Sequence, residues 1–318
     1  MRIYSLSMED IHDDHLQIPS YLPRSQRPSA PIHKPLTDPT YESFLTRELK
    51  ALDFHLHLPQ TREHILSNIR IKCFYKYCQE INNSSICNWK CPRCWMMSYY
   101  CMCSELEQIS IHKHKIIGSN SLSIYMHHDE FMMSSNTAKL LFDFCFNSVY
   151  IFGNQQHEQK FINTLTENRH KCMVLWPCKD SVSIAEFIAR NKGWNEELGS
   201  NKNGSGFHIV LIDGAWSQSS TLNRRIPREI QRVHLSVTNK IEFEKMRDHG
   251  LESGLNSIIA FRQTLKEINE FCQMHNACNI ELENSGDFQI NSSSIDLLSN
   301  LLSTCADLYH RQKCHLPR

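Results

Sequence analysis

Hydrophobic positions in this chain come in short runs separated by polar stretches. The clearest is 207–213 (FHIVLID), rich in β-branched types and broken only by His208. A short apolar run that ends in a turn signal predicts a buried strand. Similar runs predict strands at 121–126, 149–152, 172–176 and 231–237. Between them, apolar residues recur at helical spacing. Asn136 caps a predicted helix running to Phe146, with Leu140, Leu141, Phe144 and Cys145 on its apolar side. A second helix, 183–190, turns Ile184, Phe187 and Ile188 inward, and longer helices are predicted over 254–275 and 294–310. Strands alternating with helices predict an α/β fold, a mainly parallel sheet with flanking helices.

The pattern fades toward the N-terminus. Residues 42–70 carry a weak helical pattern interrupted by Pro59, which predicts one or two short helices. Residues 1–40 hold six prolines among Ser, Gln and Arg, a composition that buries too little apolar surface to fold. The chain therefore divides into a disordered tail (1–40), a short helical extension (41–86) and one folded domain (87–312). Polar loops are predicted at 195–206 and 284–294.

The cysteines change this picture. There are fourteen, with no secretory leader pattern at the start of the chain, so reduced thiols and metal ligands are expected before disulfides. Cys91-Pro-Arg-Cys94 is followed, after six residues, by Cys101-Met-Cys103. Two close pairs across a short loop can bring four thiolates onto one tetrahedral Zn²⁺. Such a zinc would be structural, closing a small Cys-rich segment over 87–105. Cys73, Cys78 and Cys87 stand near enough to substitute, and buried reduced thiols are the plainer alternative.

Charge narrows the function classes. The 34 basic and 34 acidic side chains cancel, so any nucleic-acid contact must come from a local patch. Arg224, Arg225, Arg228 and Arg232 form one such patch, and Lys90, Arg93, Lys113 and Lys115 flank the cysteines. No run reaches the roughly 18 apolar residues of a membrane span. Asp213, Gly214 and Trp216 follow the strand at 207–213, at the edge where open α/β sheets collect ligands. The alternative is a surface turn whose Asp caps the next helix and whose Trp plugs the core. His127-His128 beside Asp129 reads as a metal or acid/base cluster, or as a chance neighbour pair among eighteen histidines.

Taken in series, CPRCWMMSYYCMC, MHHDEFMMSSNTAKLL, VLWPCKDSVSIAEFIAR and LIDGAWSQ resemble the DTW-domain family, the tRNA-uridine aminocarboxypropyltransferases, and most of all its eukaryotic second type. The resemblance covers about 87–310. It implies a SPOUT-like fold with a knot near its C-terminal half. It also implies S-adenosylmethionine as co-substrate, and a tRNA uridine converted at N3 to 3-(3-amino-3-carboxypropyl)uridine. Neither a membrane, DNA nor an obligate protein partner is called for, and the cytoplasm and the nucleus are both open.

Residue by residue, Asp213 and Trp216 match the Asp and Trp of the family's name motif; the chemistry then makes Asp213 a base or an orienting group, and Trp216 a surface that stacks uracil or adenine, or a core filler. Asn136, Thr137 and Pro177 match family positions and would hold the co-substrate, together with the strand-end loop carrying Leu211, Ile212, Gly214 and Ser217. Cys91, Cys94, Cys101 and Cys103 match the family's N-terminal cysteines, which would hold the zinc. Two departures stand out. Ala215 takes the place of a threonine, and the Ser-Thr-x-Glu-Ala-like element opening the long helix reads GLESGLNSIIA over 250–260. In that register Leu255 replaces the glutamate, Ser253 keeps a hydroxyl, and Glu252 substitutes only after a shift of three. An inactive RNA-binding relative and a SPOUT-type RNA methyltransferase are the competing readings.

Overall fold

The computed structural model describes residues 41–50, 59–83, 90–145, 148–191, 206–236, 257–278 and 292–315. The proposed tail, Glu252, Ser253 and Leu255 lie outside the described residues. Six strands form one sheet: β1 (Ser121–Met126), β2 (Val149–Ile151), β3 (Cys172–Leu175), β4 (Val182–Ser183), β5 (His208–Asp213) and β6 (Gln231–His234). Their order is β2-β1-β5-β3-β6-β4, and every neighbouring pair is parallel. The helices are α1 (Tyr41–Lys50), α2 (Pro59–Asn83), α3 (Cys103–Ile117), α4 (Gln155–Glu167), α5 (Ile184–Arg190), α6 (Trp216–Arg225), α7 (Ser257–Cys278) and α8 (Ser292–His315).

Two local expectations are corrected. Pro59 opens a helix of 25 residues where an interruption was expected; a first-turn proline has no intrahelical N–H to lose. Residues 138–144 form a 3-10 helix instead of an α-helix, with Ala138, Lys139, Leu140, Leu141, Phe142 and Phe144 buried. A segment enclosed this fully takes its geometry from its surroundings more than from an amphipathic period. Helices α3 and α4, unread in the sequence, flank β1 and β2.

Alternation along β5 assigns each side chain to a face. Ile209 and Leu211 enter the larger core, which includes side chains of α3, α5, α7 and α8. Val210 enters the smaller core with Phe161 and Leu165 of α4 and Leu222 of α6, and Ile212 packs against it. Asp213 continues the first series, so its carboxylate points to the α7 side. His208 sits opposite Ser121 in the β1 register. Its Nδ1 lies 2.7 Å from Ser121 Oγ and its Nε2 2.9 Å from Ser123 Oγ. The polar break in the apolar run is thus satisfied on both ring nitrogens.

Burial, reinforced by the Lys171 charge, pushes His208 down to about 4. The folded state therefore favours neutral His208, while the unfolded chain takes up its proton near 6.5. This contribution is complete above pH 6.5 and is lost as pH falls toward 4, about 3 kcal/mol in all. Urea unfolding at pH 7 and pH 4.5 should show His208→Gln losing less stability on acidification than the wild type. Equal losses would refute the assignment.

The connections define where a ligand belongs. From β1 the chain moves to β2 on one side, and from β5 to β6 on the other. The carboxyl ends of β1 and β5 therefore meet at a topological switch point, the ligand crevice of open α/β sheets. They are tied there by the His127 N–H donating to Asp213 O at 2.8 Å. Among the described residues, no helix is long and apolar enough to cross a membrane.

Candidate functional site

Asp213 is the centre of the switch point. It is 6% exposed. Its Oδ2 accepts from Asn136 Nδ2 at 2.6 Å, and its Oδ1 from Ser257 Oγ at 2.5 Å. Asn136 Nδ2 also reaches Glu130 Oε2 at 3.3 Å, and Asn136 Oδ1 accepts the Lys139 N–H. Asn136, expected as the cap, stands one residue before the cap position, which Thr137 takes; its side chain accepts the Lys139 N–H and donates to the acid at once. Ser257 is the first residue of α7 and was missed in the sequence, where the hydroxyl of that element was read at Ser253. Thr137, Leu211 and Asp213 are buried, Ile212 and Gly214 partly so, and Pro177 and Ser217 face solvent.

After Asp213 the chain turns through Gly214 and Ala215 into α6. Gln218 shapes this turn: its Oε1 accepts the Ala215 N–H at 2.8 Å, and its Nε2 donates to Asp129 Oδ2 at 3.2 Å. Trp216 is 51% exposed, so it does not plug the core. Its ring stacks on Trp176, which follows β3, at 4.9 Å between centroids and 16° between planes. One face is thereby fixed, leaving a large aromatic surface at the strand edge.

The arginines separate into two kinds. Arg224, Arg225 and Arg228 are exposed, and Arg225 lies 6.0 Å over the Phe152 ring. Arg232 is turned inward. It donates to the carbonyls of Asn223, Ile226, Pro227 and Ile230 and to Asn223 Oδ1. Those bonds hold the turn between α6 and β6 and commit its guanidinium to the fold. Near the cysteines, Lys90 donates to Met132 O and pairs with Glu42, and Arg93 pairs with Asp143 at 2.6 Å. Lys115 remains exposed and Lys113 partly so.

Cys91, Cys94, Cys101 and Cys103 come together as the spacing predicts. Their sulfurs all lie within 4.8 Å of one another, and each residue is at most 9% exposed. Cys91 and Cys103 are 3.4 Å apart, as are Cys94 and Cys101. The first pair sits in a tight turn: the Cys91 N–H donates to Met96 O, the Trp95 N–H to Cys91 O, and Trp95 takes φ 57°. Trp95 locks the turn edge-on against Phe131 and Phe142. Cys103 opens α3, where the helix dipole favours a thiolate.

Burial raises Cys94, but bonds from Cys101, Cys103 and Cys91 outweigh it and hold the thiol well below its usual range. Bonds to Cys101 push Cys91 and Cys103 the other way. The Lys139 ammonium, 1% exposed, helps to lower Cys94 and donates to Ser134 O at 2.6 Å. A buried cation beside four clustered thiols suits the negative charge of a metal–thiolate centre. The cluster could hold a metal ion.

A family model described as "DTW domain" matches residues 88–308. No curated protein and no solved structure matches the chain.

Proposed function

This chain belongs to the DTW-domain family, and from that premise we propose that it is a tRNA-uridine aminocarboxypropyltransferase. The observation that carries the reading is the family match across 88–308, with Asp213 and Trp216 at the switch point of the sheet. On this reading the sheet is of the SPOUT class, with its knot near the C-terminal half. Bound S-adenosylmethionine supplies the aminocarboxypropyl group. The new bond joins uridine N3 to the methionine-side carbon next to sulfur. The carbon–sulfur electrons leave with methylthioadenosine, and the N3 proton is lost to a base.

The chain's own residues have three jobs here. The loops after β3 and β5, around Pro177 and from Leu211 to Ser217, hold the donor so that the methionine-side carbon, and not the methyl, faces the acceptor. Asn136 and Thr137 close that pocket from the β1 side. Asp213 fixes Asn136 and Ser257 through its two oxygens and takes the N3 proton on a remaining lone pair. The free face of Trp216 stacks the uracil. Arg224, Arg225 and Arg228 meet the RNA backbone, and zinc closes the cysteine cluster. The enzyme works where tRNA is found, in the cytoplasm, the nucleus or both.

The test is a pair of labels. Carboxyl label from the donor should enter tRNA. Methyl label alone would mean an RNA methyltransferase and overturn the reading. Neither label, with donor still bound, would favour the inactive relative, which Ala215 and the apolar start of α7 also suggest. A second expectation concerns Trp216→Ala. It should weaken tRNA binding by about 1–3 kcal/mol, roughly 5- to 150-fold. Arg225→Ala should instead weaken binding of all tRNAs alike and reduce the salt slope by about one. Titrations at three salt concentrations separate the two.

A further inference from the structure

Helix α2 lies before the family-matched region, yet two of its side chains reach the switch point. Gly153, at φ +86°, makes this possible: a Cβ there would come within 2.5 Å of Glu63 O. Glu63 pairs with His128 Nε2 and stands 4.0 Å from His127 Nε2. On the opposite side of both rings lies one carboxylate, Asp129. Its Oδ1 is 3.2 Å from His128 Nδ1 and its Oδ2 3.5 Å from His127 Nδ1. Arg70 of α2 holds Asp129 at 2.5 Å, and Gln218 at 3.2 Å. His127 and His128 are 8% and 1% exposed, with ring centroids 4.3 Å apart, and Phe152 stacks beside both.

We propose that Glu63, His127 and His128 form a second metal site, distinct from the cysteine cluster and selective for a divalent first-row transition metal such as Zn²⁺. The donor set is two imidazoles and a carboxylate, which suits such ions and not Ca²⁺ or Mg²⁺. The three ligand groups offer atoms all within 4.8 Å of one another. Donors around tetrahedral zinc stand about 3.4 Å apart, so side-chain shifts of about 1 Å complete the site.

Asp129 supplies what a bare cluster would lack. Histidine ligands are oriented when the second ring nitrogen donates to a carboxylate. Here one carboxylate, fixed by an arginine and a glutamine, faces both Nδ1 atoms. His128 Nδ1 is buried and has no aligned hydrogen-bond partner. His127 Nδ1 accepts the Asp129 N–H at 3.2 Å. Ligation through Nε2 moves that ring's proton to Nδ1, toward Asp129 Oδ2. Ligation of His128 through Nε2 likewise needs its one ring proton on Nδ1, toward Asp129 Oδ1. With three protein ligands and Glu63 partly exposed, the site keeps an open position, unlike the closed four-thiolate cluster. None of this rests on the transferase reading, and its test needs neither tRNA nor donor.

The full chain, dialysed against Zn²⁺ and assayed by elemental analysis, should carry two equivalents, and Glu63→Gln one. Asp129→Asn should weaken the second equivalent about 10- to 100-fold. With Co²⁺, the second equivalent should add ligand-field absorption without a sulfur-to-metal charge-transfer band. A single equivalent in the wild type overturns the proposal. So does a second equivalent that shows the thiolate band, or one that binds equally well to Glu63→Gln. If circular dichroism shows that variant to be misfolded, the wild-type count and cobalt spectrum still decide.

Discussion

Asp213→Asn should lower aminocarboxypropyl transfer by about 10²- to 10⁴-fold while leaving the chain folded. The carboxylate accepts from two donors, Asn136 Nδ2 and Ser257 Oγ, in a buried setting. An amide can accept from one of them; its own N–H₂ then faces the other. The Ser257 hydroxyl can accept from that N–H₂ but loses its own acceptor, at a cost of about 1–3 kcal/mol, less than a total stability of about 5–15 kcal/mol. On the proposed reaction the larger loss is expected in transfer, because an amide cannot take the N3 proton. Single-turnover transfer with carboxyl-labelled donor reads the chemistry, and calorimetric titration of donor reads binding separately. Transfer within a few-fold of wild type would remove Asp213 from the reacting centre.

Cys94→Ser should have the largest effect on the fold. Cys94 is fully buried, and its thiol is the one held most strongly toward the thiolate. Serine cannot complete a four-sulfur site, so the sulfur-bound metal equivalent should be lost. The consequences spread because the cysteine turn is keyed into the domain. Trp95 packs on Phe131 and Phe142, and Gln312 of α8 accepts the Met97 N–H at 3.0 Å. The expected loss is several kcal/mol, about 10 °C or more in Tm, with the same fall when a chelator strips the wild type. Cys178→Ser, at an exposed thiol, is the control and should change neither. An unaltered Tm, with no sulfur-bound metal equivalent in the wild type to lose, would show that the four cysteines are ordinary buried thiols.

The long-helix element shows how far the sequence could be read. Read over GLESGLNSIIA, its hydroxyl falls on Ser253 and its glutamate on Leu255. The structure begins α7 at Ser257 and places that hydroxyl 2.5 Å from Asp213. If Ser257 takes the threonine position, the glutamate position falls on Ile259, 7% exposed, and the alanine on Ala260. The register shifts, yet no carboxylate appears. Arg232 is a parallel case. Its position after three other arginines read as part of an RNA-facing patch, but its donors close the turn before β6.

What the sequence determined by itself was local. Apolar periods marked strands, and their alternation with helices marked a parallel sheet. Cysteine spacing marked one cluster, and Asp-Gly-x-Trp after an apolar run marked the strand edge. Each signal lies within a few residues because the geometry of a strand, a turn or a metal knuckle is set within that span. Only the tertiary structure decided which segments meet. Ser257 reaches Asp213 across 44 positions, Arg70 reaches Asp129 across 59 and Glu63 reaches His128 across 65. Those meetings follow from strand order and from a helix resting on Gly153. The stretch 207–225 thus gained its meaning from its neighbours. Asp213 is an acid with two named partners, and Trp216 an exposed ring stacked on Trp176.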